Sequence, residues 1–212
     1  MNLIGLTQHY LGALIRPDRH APPHARLLGN AAHKSGLNAL HRFWFDEIRI
    51  ENAYYDKKVP IWFMGADPHF DQDCTQRFSH YIDEITPNEN FLAELDTQEY
   101  LALILLFDQI PRNVFRNSKL AYAFDSIAQT LCLDALNSPR ETQLSFPERL
   151  FLYMPLEHAE NLELQNLCVT KFIQLHLESP PTIKKWTQLA LEKALEHRAT
   201  IRKHGCFPLR AQ

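Results

Sequence analysis

QEYLALILLFDQI, residues 98–110, decides the fold of this chain. From Tyr100 to Phe107 no side chain is charged, so neither a helix nor a strand would keep a face for water. A helix apolar on every side is buried all round. Leucine outnumbers the β-branched residues here, which favours a buried helix over a buried strand. The apolar run is also far too short to cross a bilayer. Pro111 lacks an N–H and restricts the residue before it, so this helix is predicted to end or kink there.

A helix buried on all sides needs other helices around it, and periodicity supplies them. Upstream, Phe70, Cys74, Phe78, Tyr81, Ile82 and Ile85 fall on one helical face. Asp67 is placed to cap that helix, Pro68 suits its first position, and Asp71 adds negative charge to its first turn. Downstream, a helix is predicted from about Lys119 to Leu136, with Leu120, Phe124, Ile127, Ala128, Leu131 and Ala135 inward. Asn137, Ser138 and Pro139 break it. Ser145 and Glu148 have capping-box spacing at the head of a helix running through Leu150, Phe151 and Tyr153 to Pro155. Two more follow. One spans Leu162 to Leu177 and stops at Pro180 and Pro181; the other spans about Ile183 to His204, with Gly205 suited to a left-handed cap. No alternating strand pattern, hairpin signal or fixed-period repeat appears. The sequence predicts an all-α domain of about six to seven helices, with consecutive helices packed as antiparallel hairpins.

Of 212 residues, 45% are hydrophobic and 22% charged, an ordinary globular balance that one core can accommodate. A net charge of -3 provides no global pull toward nucleic acid or an anionic membrane. Residues 1–39 read as a loosely ordered leader and 40–212 as one helical domain. The first 42 residues carry five Lys or Arg against one acid, together with five of the eleven histidines, unlike the acidic body. Cys74, Cys132 and Cys168 lie on apolar stripes and no CxxC pair occurs, which points to buried free thiols and a cytoplasmic, reducing setting. Trp44-Phe45 and Trp62-Phe63 read as core anchors, because no basic residues interleave them. His197, Arg198, Arg202 and Lys203 complement the dipole of the last helix.

Several chemistries are excluded by pattern. Between Gly65 and Gly205 there is no glycine, hence no phosphate loop; there is no GxSxG elbow, no HExxH zinc site and no paired Glu-x-x-His. The sequence names no cofactor and no metal site.

Two polar clusters close apolar helices. In the first, Asp108 and Arg112 are four apart and would face each other on continuing helix, with Asn113 and Arg116 following. Arg112 could simply tie off the helix end through Asp108, or it could clamp a ligand carboxylate or phosphate. In the second, Glu157, His158 and Glu160 follow Pro155; Glu157 and Glu160 can share a face, and neighbouring carboxylates would raise the proton affinity of His158. His158 could equally be a metal ligand with carboxylate support, and a surface Glu/His run at a helix joint is the plainer alternative. If the helices pack together, the clusters meet. The expected site then has His158, Glu160 and Asp108 in acid–base and orienting roles, with Arg112, Asn113 and Arg116 binding a small anionic or zwitterionic ligand. One rival is a scaffold for a protein or peptide partner, which would carry a large exposed apolar patch. RNA binding through the basic leader and the last helix is a third and weakest reading, and no membrane partner is expected.

At this point the chain resembles a bacterial family, the domain-of-unknown-function 924 family, over roughly residues 40 to 210. The resemblance rests on Phe43-Trp44-Phe45, on Trp62-Phe63 with Asp67 to Asp71, on Leu106 to Arg116 and on Ala123-Phe124-Asp125. It continues through Glu148 to Leu156, His158, Glu160, His197 and Gly205 to Arg210. It implies an all-α fold similar to tetratricopeptide-type helical hairpins, and no established activity. Glu157, Ala159 and Asn161 depart from the family's usual residues around His158, and His204, Cys206, Leu209 and Ala211 from its tail.

Overall fold

Helix α4, Thr97–Asp108, forms the centre of the molecule. In the computed structural model every residue from Glu99 to Asp108 is buried, in line with the apolar run that predicted it. The structure describes residues 23–45, 62 and 67–210, with side chains from residue 30 onward. Around α4 lie α1 (Pro23–Phe45), α2 (Pro68–Glu84), α6 (Asp125–Leu136) and α8 (Phe146–Glu157). Short α3 (Glu89–Glu94), α5 (Ile110–Val114) and α7 (Arg140–Gln143) connect them, and α9 (Leu162–Glu178) and α10 (Lys184–His204) pack on each other beyond α8. No strand occurs among the described residues. Seven of these helices have twelve residues or more, in keeping with the number expected.

The helix ends follow the local chemistry. Asp67 caps α2 through the N–H groups of His69 and Phe70, with Pro68 inside the first turn. Asp96 caps α4, and Glu99 returns to the Asp96 N–H at 3.0 Å. Gly205 closes α10 in the left-handed region at φ 74°, where only a residue without Cβ escapes the steric penalty. Cys74, Cys132 and Cys168 are buried free thiols, and Trp44 and Phe45 are buried with Phe151 among their ring partners. Trp62 packs on Phe151 at 4.9 Å, while Phe63 lies outside the described residues.

Three expectations are revised. The boundary placed between residues 39 and 40 falls inside α1: Leu37 and Leu40 are both 1% exposed, and Asn38 and Lys34 bind Glu99 at 2.7 and 3.3 Å. The basic composition of that stretch concealed an apolar stripe continuous with Trp44; residues 1–22 of the expected leader lie outside the described residues. The helix expected from Lys119 begins instead at Asp125, after a 3-10 turn at Lys119–Tyr122, and Leu120 is 54% exposed. The break comes from Asn117, whose φ of 64° reverses the chain, and from Ser118, which caps the turn. Finally, α8 continues through Pro155 to Glu157. Losing one N–H does not outweigh the burial of Leu150 through Glu157.

Candidate functional site

Asp108 ends α4 at 1% exposure, and the polar groups of two other elements converge on it. His158, directly after α8, places Nδ1 2.8 Å from Asp108 Oδ1. Gln109 Nε2 donates to the other carboxylate oxygen at 2.6 Å. Arg112, one turn on in α5, lies 3.4 Å from Oδ1 and also donates to the Asp108 carbonyl. Burial works against a charge on Asp108, but His158, Arg112 and the hydrogen bonds outweigh it and hold the carboxyl down at about 2.

His158 behaves opposite to the sequence expectation. Burial, aided by the Arg112 cation, lowers its proton affinity despite Asp108. Arg112 already supplies a permanent cation to that carboxylate, so a second one on the ring would be repelled. An ionised Asp108 beside a neutral His158 is the state this arrangement favours. The hydrogen bond then requires Nδ1 to carry the proton, which leaves the lone pair on Nε2. Among the described residues Nε2 has no hydrogen-bond partner.

Asp125, in the first turn of α6, pairs with Arg112: Nη2 donates to Oδ2 at 3.0 Å, and Nη1 lies 2.8 Å from Oδ1 without the alignment of a hydrogen bond. Its Oδ2 also accepts from Arg210 Nη1 at 3.0 Å. Arg210 arrives because Gly205 turns the chain after α10 and brings the following residues back to α8. The Phe207 N–H donates to Glu160 Oε1 at 2.9 Å, its ring lies 5.1 Å from His197, and Arg210 Nη1 reaches the His158 carbonyl at 3.2 Å. The Arg210 guanidinium lies 4.3 Å from the Tyr122 ring centre and 4.5 Å from that of Phe207.

A second titratable pair lies beside this one. Glu157, the buried last residue of α8, has Oε1 3.1 Å from His197 Nδ1 on α10, close but not aligned as a hydrogen bond. Burial and the charge of Asp108 push Glu157 up to about 8. Burial and His158 pull His197 down to about 4. At neutral pH the proton therefore resides on the carboxyl and both groups are uncharged.

The expected residues divide into two groups. Asp108, Arg112 and His158 are brought together. Glu160 is exposed in the loop after α8 and holds the Phe207 N–H; it shares no face with Glu157, because the helix ends between them. Asn113 donates to the Gln109 carbonyl at 2.9 Å, and Arg116 forms a fork with Asp71 of α2 at 2.7 and 2.6 Å, so this pair braces α5 against α2. Asp125, Phe207 and Arg210 received no role from spacing, and His197 only that of complementing the dipole of its helix. Each meets the cluster across a long stretch of chain, and the signal for them was their presence in the stretches that carry the family resemblance. No group of three His, Cys, Asp or Glu able to hold a metal occurs among the described residues, and no described helix is long and apolar enough to cross a membrane.

Comparison with known proteins agrees on the fold. The family described as "Bacterial protein of unknown function (DUF924)" matches residues 40–212. A solved protein of unknown function from Agrobacterium tumefaciens is similar, with 26% identity and a TM-score of 0.60 over 85% of this chain and 89% of that one. No curated protein matches the chain.

Proposed function

This chain belongs to the bacterial DUF924 family of unknown function, and on that premise we propose that it binds a small anionic or zwitterionic molecule and uses His158 on it as acid or base. The observation that carries the reading is the 2.8 Å hydrogen bond from His158 Nδ1 to the buried carboxylate of Asp108. That bond fixes tautomer and ring orientation and leaves Nε2 as the base. When Nε2 takes a proton, the ionised Asp108 stabilises the imidazolium formed. Arg112 keeps Asp108 ionised and is itself held by Asp125, so the dyad rests on a rigid frame. Isolated buried charges are costly, and such frames recur where chemistry needs them.

A partner-binding scaffold draws on one observation, the exposure of Ile173 and Leu177, four apart on α9. The buried ionisable cluster has no use in that reading, so the ligand site is preferred. Free buried thiols fit a cytoplasmic setting.

A thermal-shift screen of small anionic metabolites and metal ions tests the proposal, with wild type and His158→Gln side by side. Native-state ligands raise the melting temperature by mass action. At least one compound should stabilise the wild type and not the variant, with circular dichroism unchanged. If every compound acts on both proteins alike, His158 is a structural residue and the proposal fails.

A further inference from the structure

Arg112 was the guanidinium expected to clamp the ligand, but both its terminal nitrogens are already engaged. Nη1 meets the Asp108 carbonyl, Asp108 Oδ1 and Asp125 Oδ1, and Nη2 meets Asp125 Oδ2. To take a ligand it would have to release a carboxylate in a buried place, which is costly. Arg210 differs. Only its Nη1 is engaged, by Asp125 Oδ2 and the His158 carbonyl. Among the described residues Nε and Nη2 have no hydrogen-bond partner, and neither is sealed from solvent. The guanidinium carbon lies over the Tyr122 and Phe207 rings, two cation–π contacts that hold the group in place. A guanidinium held by two rings and one nitrogen presents its remaining two donors as a fork matched to a carboxylate.

We infer that Arg210 binds the anionic end of the ligand, its Nε–H and Nη2–H groups donating to a small monocarboxylate whose reacting part lies at His158. The inference rests on the reading of His158 as a ligand site. Position supports it: Nη1 of Arg210 is anchored on the backbone carbonyl of the residue whose ring carries the free Nε2. Charge favours one negative charge over two. Two guanidiniums face two aspartates and a neutral imidazole, a formal sum of zero, and exposed Glu160 adds a further negative charge nearby. With Glu160 counted the surroundings stand at -1, so a monocarboxylate brings the sum to -2 and a phosphate dianion to -3, and the smaller charge is the less costly in a half-buried place. Two-point donation to a carboxylate also makes lysine a poor substitute, since an ammonium has no planar fork.

The experiment is a titration of arginine- and histidine-labelled protein with acetate, butyrate, benzoate and inorganic phosphate, following the Arg210 Nε–H and His158 ring signals by NMR. A monocarboxylate should move both signals saturably with one Kd, and phosphate should move neither. Arg210→Lys should weaken that binding about tenfold or more, the order of losing one charge-assisted hydrogen bond. Far-UV circular dichroism of the variant should match wild type. Movement of His158 alone, or unaltered affinity in Arg210→Lys, overturns the role of Arg210 and leaves His158 as a ligand site. Movement of Arg210 alone overturns the shared ligand, and phosphate moving both overturns the monocarboxylate class. If no signal moves with any probe, the Arg210 inference is overturned, while His158 is judged by the wider metabolite screen.

Discussion

Replacing Glu157 by glutamine should stabilise this protein, by an amount that depends on pH. The side chain is 5% exposed, with its carboxyl pushed from an ordinary 4.5 up to about 8 by burial and by Asp108. Below pH 4.5 the folded and unfolded chains both hold the proton, and burial of the group costs little. Between 4.5 and about 8 the unfolded chain releases the proton while the folded one retains it, so stability falls as pH rises. At ~1.4 kcal/mol per pH unit the loss is ~3 kcal/mol by pH 7 and ~5 kcal/mol once pH passes the folded value, both orders of magnitude. Glutamine keeps the shape and has no proton to lose. His197, pulled down to about 4, acts in the opposite sense between 4 and 6.5, so the variant must be compared with wild type at each pH. Urea unfolding at intervals from pH 4.5 to about 8.5 measures the difference. It should be near zero at the acid end and grow to several kcal/mol in favour of Glu157→Gln at the alkaline end. A difference that is constant with pH would refute the assignment of a neutral carboxyl at Glu157.

Asp108→Asn leaves one oxygen to serve both Gln109 and His158, and should cost ~3–5 kcal/mol, the usual loss on breaking a buried ionic contact. Calorimetry should show a melting temperature lower by about 10 °C for a chain of this size. Because Asp108 is held at about 2, its contribution is present above pH 3.8 and lost as pH falls toward 2, so wild type and variant should converge in acid. Arg116→Ala removes the exposed pair with Asp71 and a hydrogen bond to Asn113, and should cost ~1 kcal/mol or less, with ligand binding at His158 unchanged in the thermal-shift assay. Leu103→Ala opens a cavity in the centre of α4 and should cost ~2–5 kcal/mol in urea unfolding.

Much of the fold was legible because helices are written locally. The all-apolar, leucine-rich run at 100–107 favoured an interior helix over a buried strand, and Asp67-Pro68, the Ser145 to Glu148 spacing and Gly205 marked ends that lie within a residue or two of those observed. What failed was also local. Positive charge at Arg16, Arg19 and Arg26 disguised the stripe of Leu37, Leu40 and Trp44, and Leu120 was taken as inward because a turn at Asn117 and Ser118 carries no proline or glycine. Half of the candidate site could be anticipated, since Asp108 to Arg112 is one helical turn. The meeting of Asp108 with His158 followed only from assuming that their helices pack. Asp125 and Arg210 could not be placed, because a contact across 85 residues is a property of the packing and leaves no periodic trace. The error at His158 is physical: adjacent carboxylates in the sequence suggested a raised proton affinity, whereas burial and a cation from another helix set it lower.

The thiols give the molecule its own chemical clocks. Cys74, Cys132 and Cys168 are fully enclosed, and burial pushes Cys74 up to about 12 and the other two well above the ordinary thiol value, so none offers a thiolate to an alkylating reagent. Cys206 is partly exposed, one residue before the Phe207 that holds Glu160 and packs on His197. Iodoacetamide should therefore modify the native protein at a single fast site and at three slow ones. The fast site needs no opening and serves as the internal reference, while the slow rates report how often the helices themselves come apart.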